Sequence, residues 1–158
     1  MSFEAVENFE KAIAEYYGSP YAVATDCCTH AVELCLRLRD PIRVTCPAHT
    51  YISIPHTFIK LGISWRFTDQ NWHYYYEIGN TGIIDAAVYF REGGYIPGML
   101  MCLSFQFRKP LSLGRGGAIL CESYTDYEAL KKMSYDGRLG DKPWADQQID
   151  TVGYHYYM

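Results

Sequence analysis

Three short apolar runs separated by two helical ones are what most constrain the fold of this chain. Phe3, Val6, Phe9, Ile13 and Tyr16/Tyr17 recur at helical spacing, and Gly18 supplies a stop. After the turn at Ser19-Pro20 comes YAVAT (21–25), an apolar strand. Ala31, Val32, Leu34, Cys35 and Leu38 then mark a helix over Thr29–Arg39, ended by Asp40-Pro41. RVTC, ending at Cys46, reads as a second strand closed by Pro47. Ile52 to Leu61 is predicted helical, with Pro55 tolerable only near its first turn. ISWRFTD (63–69) is a third strand. Strands alternating with helices imply an α/β architecture: a mostly parallel sheet flanked by helices, with both faces covered.

The second half changes character. QNWHYYYEIGN has no clear period and is expected to be a loop or a short edge strand. GIIDAAVYF, GMLMCLSFQF and GGAILCES are apolar runs divided by Gly/Pro turns with no helix between them, so the sheet is expected to be mixed. Tyr124–Met133 is a predicted helix, and the tail from Ser134 is loop-like. No internal repeat or low-complexity segment interrupts the 158 residues, which suit one domain over 1–158.

Composition narrows the function classes. A formal net charge of -4 argues against a dedicated nucleic-acid binder, which would show a basic patch or stripe. No apolar run approaches the roughly 18 residues a membrane span needs. MSFEAVENFEKAIAEYYG is acidic and amphipathic, unlike a secretory signal, so a cytoplasmic location is expected. Cysteines 27, 28, 35, 46, 102 and 121 form no C-x-x-C pair and read as buried thiols of an intracellular protein. Their spacing to His30, His49 or His56 fits no familiar zinc pattern, so no metal is expected. Tyrosines cluster at 74–76 and 154–157, where buried interface or core is the expectation.

Ligands of open α/β sheets bind just beyond the carboxyl ends of strands. The residues found there form a chemical set. After YAVAT comes DCCTHA, a turn entering a helix, whose backbone N–H groups and Thr29 hydroxyl would face an anion. After RVTC comes PAHTY, with Thr50 and the flat ring of Tyr51. Asp85 ends GIID, and Ser104 and Lys109 follow MLMCLSF in SFQFRKPLSLGRGG. Taken singly, Thr29 would be an ordinary N-cap, Tyr51 a core residue, Asp85 a helix cap and Lys109 a surface lysine. Together they match what pyridoxal phosphate requires: a held phosphate, a covered ring, a carboxylate at the pyridine nitrogen and an amine for the aldehyde.

These segments resemble the DegT/DnrJ/EryC1/StrS family of pyridoxal-phosphate sugar aminotransferases, fold type I, with the aspartate aminotransferase-like large domain. FEKAIAEYYGSPYAVATDCCTHAVELCLRL is similar to the family's opening helix, strand and phosphate-turn helix. CPAHTYISIPHTFIKLGISWRFTD resembles its P-x-x-T-aromatic strand and following helix. GIIDAA is similar to its E-D-A-A strand, SFQFRKPLSLGRGGAIL to its S-F-x-x-x-K-x-L-x-x-G-x-G-G segment, and GYHYYM to its G-Y-N-Y-R-M.

The resemblance implies pyridoxal 5'-phosphate as cofactor and Lys109 as the Schiff-base lysine and proton-transfer base. It implies Asp85 at the pyridine nitrogen and Tyr51 stacked on the ring. Thr29, the backbone of the adjacent Cys28 and His30, and Ser104 would hold the phosphate. It also implies a homodimer with a shared site, His155 standing where the family's Asn reaches the neighbouring subunit's phosphate, and a nucleotide-sugar or amino-acid substrate. Several positions depart from the pattern. Val88 stands where the family has a Gln supporting the ring, D-C-C-T-H replaces S-S-G-T-A, and Tyr157 replaces Arg. Asp26 beside a phosphate would be unfavourable unless it points away. Family members run to more than twice this length, so the expectation is a shortened large domain with the small domain absent. The alternatives to a working aminotransferase are a non-enzymatic binding or assembly module, or half of a split enzyme.

Overall fold

The fold is given by a computed structural model that describes residues 3–140 and 142–158. Helix α1 (Glu4–Tyr17) ends where Gly18 turns left-handed and the N–H of Ser19 bonds the Ala14 carbonyl. Strand β1 (Tyr21–Thr25) leads into α2 (Cys28–Arg39), and β2 (Arg43–Pro47) into α3 (Ser53–Leu61) and β3 (Ser64–Thr68). The short strands β4 (Tyr76–Glu77) and β5 (Ile83–Asp85) precede β6 (Leu100–Ser104), β7 (Gly117–Cys121) and α4 (Tyr124–Ser134). Each predicted helix and strand is present within a few residues of its expected ends. The segment left open as loop or edge strand contributes β4, at the sheet edge. Among the described residues, the loop-like tail holds a short 3-10 turn, Trp144–Asp146.

The sheet is mixed, in the order β1-β7-β6-β5-β4, with β2 and β3 forming a separate parallel pair. A bond of 2.8 Å from the Gly79 N–H to the Thr45 carbonyl ties that pair to the turn after β4. Parallel pairing is less dominant than the alternation of strands and helices predicts. Three of the five pairings are antiparallel, because β7 runs against both β1 and β6 and β4 runs against β5. The reason is local: β6 and β7, like β4 and β5, are joined without a crossover helix, and only antiparallel neighbours permit that. Strands β1, β5 and β6 still share one direction, which follows from their pairings.

Both faces of the sheet are buried, as expected. Along β6 and β7, Leu100, Cys102, Ile119 and Cys121 pack with Ala31, Leu34 and Cys35 of α2 and with Leu130 of α4. Met101, Leu103, Ala118 and Leu120 face the other way, onto Ile13, Ala14 and Tyr17 of α1. That two-residue alternation, apolar on both sides, is what a strand between two helical layers requires. Burying each large apolar side chain contributes roughly 1.5–3 kcal/mol. No helix among the described residues is long and apolar enough to cross a membrane.

Candidate active site

The strand ends converge on a pocket of about 450 Å³, within the range that small-molecule and cofactor sites occupy. Of the residues singled out by sequence, Cys28, Thr29, Tyr51, Asp85, Ser104 and Lys109 line it. His30 and His155 do not. His30 is turned toward Asp26, its Nδ1 2.6 Å from the carboxylate, and stacks on Tyr156 with ring centroids 3.8 Å apart. His155 is largely exposed and lies 3.2 Å from Asp136.

The segment D-C-C-T-H enters its helix from Cys27 in an extended conformation, so α2 starts one residue earlier than its pattern indicated. Thr29 is therefore not the N-cap. Its hydroxyl donates to the Ser53 hydroxyl, 3.0 Å away. The first intrahelical bond runs from the Ala31 N–H to the Cys27 carbonyl, leaving the N–H groups of Cys28, Thr29 and His30 without intrahelical acceptors. Such a helix start favours an anion. Asp26, the expected obstacle, does not line the pocket. Its carboxylate is held by His30 and by Arg115, whose Nη2 lies 2.6 Å from Oδ2. Asp26, Cys27 and His30 bring a potential metal-ligand atom each to within 4.8 Å of one another. The Arg115 guanidinium already occupies the carboxylate of that group, which works against a cation there.

Lys109 sits in a tight turn, its N–H bonded to the Gln106 carbonyl at 2.8 Å. The loop around it is clamped at its base, where Phe105 donates to Gly116 and Leu113 donates back to Phe105, both at 2.9 Å. Its ammonium lies near enough to Asp85 and Cys28 to favour their ionised forms. Burial nevertheless dominates at both: it raises Asp85 above the usual carboxylate range and pushes the Cys28 thiol well up.

Asp85 is 7% exposed, and both of its oxygens have donors. Oδ1 accepts the Ala87 N–H at 3.0 Å, and Oδ2 accepts the Tyr76 hydroxyl at 2.8 Å. Since the Tyr76 proton points to the carboxylate, the Thr50 hydroxyl 2.5 Å away must donate to the Tyr76 oxygen. Tyr51, expected as core if it had no ligand role, is instead 73% exposed on the pocket wall. Val88 is 41% exposed and lines no part of the pocket.

Sequence reasoning missed Tyr76, Arg108 and Arg115. Tyr76 is buried, as the tyrosine cluster at 74–76 predicts, while Tyr74 and Tyr75 are exposed. A usable signal was present in YEIGNTGIID, where a Gly-containing turn joins two short runs. The hairpin it forms pairs Tyr76 directly with Asp85. Arg108 and Arg115 flank Lys109 and the glycines and bring further positive charge to the same pocket.

The donor set suits a phosphorylated aromatic ligand. It offers orphan helix N–H groups, the hydroxyls of Thr29 and Ser104, an exposed ring, a buried carboxylate and an amine on one wall. Comparison with known proteins agrees on the fold. AHBA synthase, 3-amino-5-hydroxybenzoic acid synthase, superposes with a TM-score of 0.77 at 22% identity, over 95% of this chain and 51% of that one. The sugar aminotransferase CalS13 from Micromonospora echinospora gives 0.77 at 15% identity, over 97% and 56%. Spr1654 from Streptococcus pneumoniae, in its PLP form, gives 0.75 at 16%, over 96% and 55%. The chain thus spans about half the length of the solved structures it matches. No curated protein matches it in sequence. A sequence model of the DegT/DnrJ/EryC1/StrS aminotransferase family matches residues 1–79 of the 158. With half its length matched in sequence and nearly all of it sharing the fold of such enzymes, the chain belongs to the DegT/DnrJ/EryC1/StrS aminotransferase family.

Proposed function

We propose that this chain is a pyridoxal 5'-phosphate-dependent aminotransferase-type protein acting on amino-acid or nucleotide-sugar substrates, with Lys109 as its cofactor-bonding lysine. The observation that carries the reading is that Lys109 and the buried Asp85 line one pocket together with the orphan N–H groups at the start of α2. Pyridoxal phosphate, when bound, supplies the electron sink that makes a proton removable from the carbon next to the substrate nitrogen.

The chain's own groups divide the remaining work. The N–H groups of Cys28, Thr29 and His30, with the Thr29 and Ser104 hydroxyls, are the phosphate seat. His30 takes part through its backbone, because its ring is engaged by Asp26 and Tyr156. Tyr51 covers one face of the ring, and Asp85 holds the proton of the pyridine nitrogen. Lys109 binds the aldehyde carbon through its amine and, once displaced by substrate, holds and returns the proton as general base.

A homodimer is part of the same proposal. Tyr51, Ile52 and Phe107 are exposed apolar side chains on or beside the pocket-lining segments, as an interface there would need. His155, free of its own chain's pocket, is available to a neighbouring subunit.

The test is a spectral titration. Addition of pyridoxal phosphate should produce a yellow protein, and L-glutamate should then bleach the band. Lys109→Ala should give neither change. A wild-type protein that stays colourless would end this reading. A yellow protein unchanged by any amino donor would leave a cofactor-binding module.

A further inference from the structure

Val88 stands where a ring-supporting Gln is expected, and it lies outside the pocket. The carboxylate that would hold the pyridine nitrogen must therefore be kept ionised and aimed by other groups. We propose that Tyr76 is the positioning residue of Asp85, with Thr50 orienting Tyr76 in turn; this rests on the cofactor reading above.

The geometry is specific. Tyr76 is 2% exposed and opposite Asp85 in the β4–β5 pairing. Its hydroxyl has two neighbours of opposite demand. Asp85 Oδ2, 2.8 Å away, can only accept when ionised, and Thr50 Oγ1, 2.5 Å away, can donate. A chain of donors therefore runs from Thr50 through Tyr76 to Asp85. Burial favours the protonated form of Asp85, and a protonated carboxyl cannot counter a pyridinium charge. Three influences oppose burial: the Tyr76 hydroxyl, the Ala87 N–H and the Lys109 charge. Of these only the first two are neutral donors. Lys109 must be uncharged before it can take up a proton as a base, so Tyr76 and Ala87 must hold the anion at that stage. The Ala87 N–H is backbone, and Tyr76 is thus the side chain on which this function rests. The tyrosine keeps its own proton throughout, because burial and the Asp85 charge raise it far above its ordinary value.

Thr50 precedes Tyr51 by one residue in the loop after β2. The same loop thus supplies the ring wall and the second link of the donor chain. A hydrophobic residue at position 50 would leave the Tyr76 oxygen without its donor while preserving the fold of β4.

The experiment measures Asp85 directly in the cofactor-free protein, by carboxyl carbon NMR titration assigned with Asp85→Asn. Tyr76→Phe should raise the Asp85 titration midpoint above that of wild type, and Thr50→Val should raise it by less. In parallel, pyridoxal phosphate affinity is measured against pH. Tyr76→Phe should weaken binding about tenfold at neutral pH, the scale of one hydrogen bond to a charged group. It should also move the acid limb of the binding profile to higher pH. In an Asp85→Asn background Tyr76→Phe should have no further effect on binding. Circular dichroism and melting of Tyr76→Phe show whether it folds, and Thr50→Val carries the test if it does not. An Asp85 midpoint unchanged by both variants would overturn the role of Tyr76, whatever the cofactor does. An Asp85 midpoint that shifts as described in a wild-type chain that binds no pyridoxal phosphate would retain the positioning role and remove the cofactor reading instead.

Discussion

Gly117 lies against the backbone of Cys28: a Cβ at position 117 would sit 2.6 Å from the Cys28 nitrogen and equally close to the Cys27 carbonyl carbon. The start of β7 and the start of α2 are thus in van der Waals contact only because residue 117 has no side chain. Gly117→Ala is expected to destabilise the protein by about 1–3 kcal/mol through overpacking. It should also displace the α2 start, and so weaken phosphate binding. The denaturant midpoint and a pyridoxal phosphate titration check both halves. Unchanged values for each would contradict the close approach.

The pair formed by Glu10 and Lys131 bears on stability alone. Glu10 is 5% exposed, and its Oε1 accepts both the Lys131 ammonium at 2.9 Å and the Ala24 N–H at 2.8 Å. This links α1, β1 and α4. Lys131→Ala leaves a buried carboxylate without its counter-charge and should cost about 3–5 kcal/mol. The double variant Glu10→Gln/Lys131→Ala, which removes both charges, should recover part of the loss. Urea melts of the two proteins decide it, and equal stabilities would show that the charge is not the cause.

The raised pKa of Asp85 sets a direction for pH dependence. A carboxyl whose folded value exceeds its unfolded one adds stability below the unfolded value and loses it as pH rises through the folded value. The cofactor-free protein should therefore gain relative to Asp85→Asn as the pH is lowered into that window, and fall behind it above. Melting temperatures of the two proteins across the acid range give the difference. A difference independent of pH would show that Asp85 titrates in the fold as it does in an unfolded chain.

The alternation of strands and helices was legible because its signals are local. YAVAT was placed residue for residue, and the stops at Gly18 and Asp40-Pro41 fall at the observed helix ends. What the sequence did not convey was strand order, since β7 inserts between β1 and β6 from far along the chain. The pocket set was legible for a related reason: its members follow strand ends, and strand ends meet. Tyr76 escaped notice because its role depends on a cross-strand neighbour rather than on a strand end. The sequence assigns only the backbone of His30 to the turn; its ring is engaged by Asp26, four residues away, and by Tyr156, a contact between segments far apart in sequence.

Arg115 pairs with Asp26 at the edge of the proposed phosphate seat. Its side chain is 74% exposed, so Arg115→Ala should change stability by under about 1 kcal/mol. Cofactor affinity should fall by more, because the Asp26 charge is then uncovered beside an incoming phosphate. Adding Asp26→Asn to Arg115→Ala should restore most of that affinity. Equilibrium titrations of the two proteins make the comparison, and failure of Asp26→Asn to restore binding would mean that Arg115 contacts the phosphate itself.

The most direct measurement is borohydride reduction in the presence of pyridoxal phosphate, followed by peptide mass mapping. The account predicts one reduced phosphopyridoxyl group per chain, on the peptide carrying Lys109, and its loss in Lys109→Ala. A modification spread over the other lysines, or none at all, would contradict it.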